Sequence, residues 1–316
     1  MRPLVFGAGA VGIGLASALL AAGHRVQLVA RGETRDAIAA NGITRTGILG
    51  ATHHAPGSFD LVGSAAEARD ANVVLVCVKS FDSAAAATAL AEAGERIDPG
   101  APVVSCQNGW GNAACLEPVF GRERVFCASI LTGFRRPARH TADVTVHAVP
   151  IRMGSLSGSA TDAIEPLCAA ITAGGIACET TGEMAAEIWA KLLYNGCLNP
   201  LGALLGVPYG VLAERADTRA TMSALAHETF SVLHAAGFET HWPAADVWLA
   251  HFYDVLIPPT RAHESSMLQD LRAGRRTEID ALTGAIVALA DRHGLGVPES
   301  RRLLAAIRAA ERERRP

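Results

Sequence analysis

Lys191, Asn195 and Asn199 stand at i, i+4 and i+8 in an otherwise apolar stretch, a spacing that places all three along one side of a helix. A lysine is seldom buried without a partner, and two asparagines in line with it also need partners. One ammonium with three donors beside two carboxamides suits an anionic, oxygen-rich small molecule. The same spacing also fits a solvated stripe in which Glu187 pairs with Lys191. A second polar cluster runs from Glu264 to Asp270 and from Arg275 to Asp280. Within it Ser266 and Gln269 have the spacing of a capping box, and Glu278 sits where a helix beginning at Thr277 would place an acid at its positive end. Taken alone, this cluster shows no chemistry.

A third group lies at the amino terminus. Leu4-Val5-Phe6 suits a buried strand, and Gly7-Ala8-Gly9-Ala10-Val11-Gly12 completes G-x-G-x-x-G directly after it. A helix over Val11 to Ala22 and a strand over Val26 to Val29 then make a βαβ unit of nucleotide-binding length. Gly7 permits the tight turn, Gly9 admits a pyrophosphate against the backbone, and Gly12 allows close packing, while Ala10 and Val11 bring the helix's first N–H groups to the phosphates. After the second strand, where an acid would meet a ribose 2′-hydroxyl, stands Arg31, which suits a 2′-phosphate; NADP(H) is therefore expected over NAD(H). Glu33 and Arg35 flank that position. Val73 to Val78 and Val103 to Cys106 read as further parallel strands, bringing Lys79 and Asn108 to the same crevice.

Strand-like pieces at Val125 to Ile130, Val144 to Ala148 and Ile151 to Gly154 continue this α/β domain, and a helix over Asp162 to Ala173 and a strand over Ile176 to Glu179 close it. From Glu183 onward nearly everything reads as helix, the first ending at Pro200 and the arginine-rich end from Arg308 to Arg315 fraying. The expected domains are residues 1–181, binding NADP, and residues 182–316, helical and substrate-binding. Two domains suit a chain of 316 residues. Half the residues are hydrophobic and 19% are charged, which excludes a disordered chain. With 28 basic against 31 acidic residues, no basic field exists to hold nucleic acid or an anionic membrane. Arg2 and the apolar run after it resemble a signal peptide, but the spaced glycines and the following strand favour a cytoplasmic protein. Seven cysteines without a C-x-x-C pair read as buried thiols in a reducing compartment. The pair His53-His54 reads as a surface loop, and no metal site is expected.

GAGAVG at 7–12, Arg31, VKS at 78–80, QNGWG at 107–111, WAKLLYNGCLNP at 189–200 and SSMLQDLRAGRRTEID at 265–280 resemble the ketopantoate reductase (2-dehydropantoate 2-reductase) family. The resemblance implies an α/β Rossmann domain followed by an all-α domain like the C-terminal one of 6-phosphogluconate dehydrogenase. It implies NADPH-dependent reduction of a 2-oxo acid, with Lys191 as general acid and Glu278 as the carboxylate that binds the substrate hydroxyl and organises the lysine. Asn195, Asn199 and Ser266 match substrate-binding positions, and Arg31, Lys79 and Asn108 match positions at the cofactor. His263 departs from the family's asparagine at a substrate position; protonated near its ordinary pKa of ~6.5, it would favour a carboxylate as pH falls. A relative reducing another branched 2-oxo acid or an imine would share these motifs; a non-catalytic NADPH sensor is a further alternative, against which Lys191 and Glu278 argue because a sensor needs neither. A homodimer is compatible with them.

Overall fold

The computed structural model describes residues 1–314, which fold as two compact units. The first comprises Met1–Asn108 and Asn112–Met184; the second comprises Gly109–Gly111 and Ala185 onward.

In the first unit the strands are β1 (Pro3–Phe6), β2 (Gln27–Val29), β3 (Ile43–Gly47), β4 (Thr52–His54), β5 (Asp60–Val62), β6 (Val73–Val76), β7 (Val103–Ser105), β8 (Val125–Ser129), β9 (Thr132–Ala138), β10 (Thr141–His147), β11 (Ile151–Gly154) and β12 (Cys178–Thr180). Eight form one sheet, ordered β12-β11-β8-β7-β6-β1-β2-β5, parallel throughout except where β11 meets β8. Its central strands are continuous apolar runs because both faces are covered. Strand order reverses between β1 and β6, so the carboxyl ends of those two strands flank the crevice where open α/β sheets bind ligands. The helices of this unit are α1 (Ala10–Ala21), α2 (Gly32–Asn41), α3 (Ser83–Ala91), α4 (Asn112–Phe120) and α5 (Glu165–Ala173).

A second sheet, ordered β4-β3-β10-β9, was not legible in the sequence beyond β10. It covers α1, whose residues Gly12 to Leu19 are all buried. A helix enclosed on every side has no polar face to conserve, which explains its small and aliphatic composition. Phe134 of β9 lies against Gly14, where a Cβ would come within 2.4 Å of the ring. Pro137 is tolerated because β9 is an edge strand. His53 and His54 lie in β4 and not in a loop; His54 Nε2 is 3.1 Å from Ser17 O of α1.

The second unit is helical: α6 (Met184–Leu205) begins at its boundary, followed by α7 (Tyr209–Glu214), α8 (Ala216–Ala235), α9 (Ala245–His251), α10 (Ser266–Arg272), α11 (Thr283–Arg292) and α12 (Pro298–Arg314). Pro200 does not end α6 but sits inside it. Its missing N–H costs one helix bond, and the burial of Cys197, Leu198, Leu201 and Ala203 on either side holds the helix together. The arginine-rich end is helical through Arg314, and Arg308 donates to Asp280 at 2.7 Å, so this part of the helix is tied down; Arg315 lies outside the described residues. No helix among the described residues is long and apolar enough to cross a membrane.

Helix α5 approaches α1 closely at Gly174, where a Cβ would stand 1.9 Å from Ala18 O. Backbone cannot yield as a side chain can. Gly174→Ala should therefore lower stability by about 2–4 kcal/mol. Gly196→Ala, inside α6 with nothing within 4 Å of the added methyl, should raise it by about 0.5–1 kcal/mol. Urea denaturation followed by circular dichroism reads both, and an unchanged midpoint for Gly174→Ala would contradict the close packing.

Candidate active site

In the first unit the glycine turn joins β1 to α1. Gly7 has φ +116°, and a Cβ there would meet the Cys77 and Val78 backbone at 2.9 Å; at Gly12 it would stand 1.9 Å from Gly7 O. Side chains are excluded at both positions. At Gly9 the nearest atom to an added Cβ is Cys77 O at 3.9 Å, so the space above this residue is open. Gly9 is also the N-cap of α1 and supplies no side-chain acceptor, and the first turn, which includes Ala10 and Val11, carries no acid. Uncapped N–H groups at a positive helix end beside an open glycine are what a diphosphate requires, so these residues fit a dinucleotide.

Strand β6 ends across the switch point, and Lys79 follows it half-buried. A buried polar network sets the loops after β6 and β7. Gln107 Nε2 donates to Ser83 Oγ at 2.8 Å and to Lys79 O at 3.3 Å, and Ser105 Oγ donates to Gln107 Oε1 at 3.1 Å. Ser83 Oγ lies 2.9 Å from Asn112 Oδ1, and Asn112 Nδ2 donates to Asn108 O at 2.9 Å. Sequence reading named Lys79 and Asn108 but passed over Ser83 and Asn112, whose spacing carries no signal. Arg31 is exposed at the end of β2 as the N-cap of α2. Glu33 is paired with Arg139.

In the second unit α6 carries Lys191 and Asn195, both half-buried, and Asn199, which is buried. Glu187 lies 3.5 Å from His241 Nε2. The Asn199 carboxamide oxygen accepts from the Tyr209 hydroxyl at 2.7 Å, which leaves its amide nitrogen as the donor end. The Tyr209 ring centroid lies 5.2 Å from that of His263, and Tyr209 N donates to His263 O at 3.1 Å. Tyr209 thus joins two sequence-predicted residues and was itself missed. Burial pushes its phenol well above the ordinary range and keeps it a neutral donor. Burial also pushes His263 below 6.5, against an opposing pull from Glu264, so His263 is neutral at physiological pH and the titration expected near pH 6.5 moves lower.

Ser265, not Ser266, caps α10. Its Oγ accepts from Leu268 N at 3.0 Å and lies 3.4 Å from Asn199 O, whereas Ser266 is exposed on the first helical turn. The N-cap needs extended backbone, and Ser265 has it, with φ −60° and ψ 150°.

Glu278 is buried in a turn and not at a helix start, because α11 begins only at Thr283. The turn is fixed from three sides. Thr277 N and Oγ1 both donate to Glu311 Oε1 at 2.6 Å; Arg276 and Arg308 both bond the Asp280 carboxylate; Trp110 N donates to Ala281 O at 2.9 Å. Burial works to raise the pKa of Asp280, but the two guanidiniums outweigh it and hold the carboxyl below its usual value. Trp110 also stacks on Trp189 of α6 at 4.5 Å, with Phe238 edge-on to Trp110 at 4.9 Å. One residue therefore contacts the helix two residues before Lys191 through its indole and the turn three residues after Glu278 through its backbone N–H. The described residues contain no cluster of His, Cys, Asp and Glu arranged to hold a metal.

Comparison with known proteins agrees with this arrangement. Residues 4–158 match the family described as Ketopantoate reductase PanE/ApbA, and residues 183–311 match Ketopantoate reductase PanE/ApbA C terminal. The 2-dehydropantoate 2-reductase of Aquifex aeolicus is 31% identical over 98% of this chain and 97% of its own. The PanE/ApbA family ketopantoate reductase of Ralstonia eutropha JMP134 superposes with a TM-score of 0.85 at 30% identity over 99% of each chain. D-mandelate dehydrogenase, solved with NADH and anilino(oxo)acetate, shares the fold with a TM-score of 0.87 at 19% identity over 99% of each chain. A Rossmann unit followed by an all-helical unit, matched over nearly the whole length by a 2-dehydropantoate 2-reductase and a ketopantoate reductase, makes this chain an oxidoreductase that belongs to the ketopantoate reductase family.

Proposed function

We propose that the protein reduces 2-dehydropantoate to (R)-pantoate with NADPH, the first unit holding the dinucleotide and the second the 2-oxo acid. The observation that carries this reading is Trp110, which ties the Lys191 helix to the Glu278 turn within one helical unit. Such a tie serves a proton donor and a carboxylate that must act together on one small molecule. NADPH, when bound, supplies the hydride. Gly7, Gly9, Gly12 and the first N–H groups of α1 hold the diphosphate, and Arg31 meets the 2′-phosphate, with Lys79 and Asn108 at the crevice beside them.

As the hydride arrives at C2, the carbonyl oxygen becomes an alkoxide. The Lys191 ammonium stabilises this charge and transfers its proton to the oxygen, giving the 2-hydroxy acid; solvent then reprotonates the amine. Glu278 accepts a hydrogen bond from the substrate hydroxyl and organises the ammonium. Asn195 and the amide nitrogen of Asn199 donate to substrate oxygens, and the Tyr209 hydroxyl fixes which end of Asn199 is offered. The neutral His263 presents one donor and one acceptor. His263 packed on Tyr209 also favours a second reading, in which the preferred substrate is another branched 2-oxo acid. Assay of a panel of 2-oxo acids with NADPH and with NADH separates the two: the highest kcat/KM for 2-dehydropantoate with NADPH supports the first, and preference for a different acid supports the second.

Lys191→Ala should lower kcat by about 10²–10⁴ while NADPH binding persists. Near-normal kcat in a folded variant would remove Lys191 from the chemistry.

His263 is neutral in the folded protein above pH 6.5, so its contribution to stability is complete there and is lost as pH falls below that value toward its lower folded pKa. Wild type should therefore lose more stability than His263→Asn between pH ~7 and ~5 in thermal melts. Above pH ~6.5 the KM profiles of the two proteins should run parallel, with the variant shifted in preference toward 2-dehydropantoate. A KM difference that grows from pH ~8 to ~6.5 would show that His263 titrates in the accessible range after all.

A further inference from the structure

The β9–β10 hairpin reaches back to the start of α2, more than a hundred residues earlier in the chain. Arg136 Nη2 donates to Thr34 Oγ1 at 2.9 Å and to Arg139 O at 2.7 Å, and the Arg139 guanidinium pairs with the Glu33 carboxylate. Glu33 and Thr34 lie in the first turn of α2, whose N-cap, Arg31, supplies no side-chain acceptor. Two hairpin guanidiniums therefore stand at the positive end of a helix that begins where the second strand of a parallel nucleotide-binding sheet ends. That is where the adenosine ribose lies in such folds.

Glu33 is the residue that complicates this position. Two places after Arg31, an unopposed carboxylate would accept a bond from a ribose 2′-hydroxyl and repel a 2′-phosphate. Pairing with Arg139 occupies that acceptor and neutralises its charge. The pair is largely solvated, its side chains 55% and 77% exposed, so it adds little to folding stability. Its effect falls on whatever anion approaches the start of α2.

We propose that Arg139 and Arg136 select the cofactor: Arg139 neutralises Glu33, and both guanidiniums join Arg31 in holding the 2′-phosphate. This rests on the reading that the first unit binds a dinucleotide carrying that phosphate. It adds selectivity residues on a β-hairpin separate from the strand and helix that flank Arg31.

Calorimetric titration with 2′,5′-ADP and with 5′-AMP isolates the 2′-phosphate without any turnover, and titration with NADPH and NADH repeats the comparison on whole cofactors. Arg139→Ala should weaken 2′,5′-ADP and NADPH by about tenfold and leave 5′-AMP and NADH unchanged or tighter. Arg136→Ala should weaken the phosphorylated ligands by about fivefold. Adding Glu33→Ala to Arg139→Ala should recover part of the loss, because the uncovered carboxylate is then gone while the direct contact of Arg139 is still missing. Circular dichroism melts check that each variant folds. Normal 2′,5′-ADP binding by Arg139→Ala and Arg136→Ala, with a loss in Arg31→Ala, overturns the role of the hairpin and leaves the NADPH reading intact. A double variant no better than Arg139→Ala overturns the neutralisation of Glu33. Wild type that binds 5′-AMP as tightly as 2′,5′-ADP, with Arg31→Ala changing neither, overturns the NADPH reading and the proposal with it.

Discussion

A buried carboxylate in a turn is costly to hold, and the second unit is organised around holding Glu278. Neither neighbouring helix supplies the turn with a regular hydrogen-bond ladder. The Glu311 carboxylate of α12 substitutes for one by accepting both the N–H and the hydroxyl of Thr277. Such charge-assisted bonds, short and in a buried setting, are among the stronger ones a protein makes. After Glu278, Asp280 is clamped by Arg276 and Arg308, and Ala281 is clamped by Trp110. The stack of Trp110 on Trp189 then carries this rigidity into α6, where Lys191 follows. Groups that act together need fixed geometry, and one ring stack at Trp189 with one backbone bond at Ala281 joins the helix of Lys191 to the turn of Glu278.

The first unit works by exclusion. Positions 7 and 12 have no room for a Cβ, position 9 has open space above it, and the start of α1 lacks any side chain that would occupy its N–H groups. Its second sheet serves two ends: it helps to bury α1 from Gly12 to Leu19, and its hairpin carries arginines to the start of α2.

Much of this was legible in the sequence where a local rule is strong. The strand, glycine turn and helix at the amino terminus follow from glycine sterics, and the Lys191-Asn195-Asn199 row follows from helical periodicity. The resemblance of the longer motifs brought Glu278 into view. What escaped depends on partners distant in the chain. Ser265 and Ser266 are equally good caps by type, and only the backbone selects Ser265. Thr277 to Asp280 has the composition of a helix start, yet a buried acid 34 residues away captures Thr277 and makes a turn. Pro200 reads as a stop, and tertiary burial on both sides overrides it. Tyr209 and Trp110 carry no catalytic signature; their roles appear only once His263, Asn199, Trp189 and Ala281 are seen against them.

The central claim is that the Lys191 ammonium delivers the proton. Replacing its Cγ methylene with sulfur, as γ-thialysine at position 191, keeps the length and charge of the side chain while lowering the pKa of its ammonium. The decisive measurement is the pH profile of kcat for 2-oxo acid reduction by the two proteins. If Lys191 must be protonated to act, the rate falls as pH rises, and the fall moves to lower pH in the thialysine protein. A fall at the same pH in both proteins, with undiminished kcat below it, would contradict the claim.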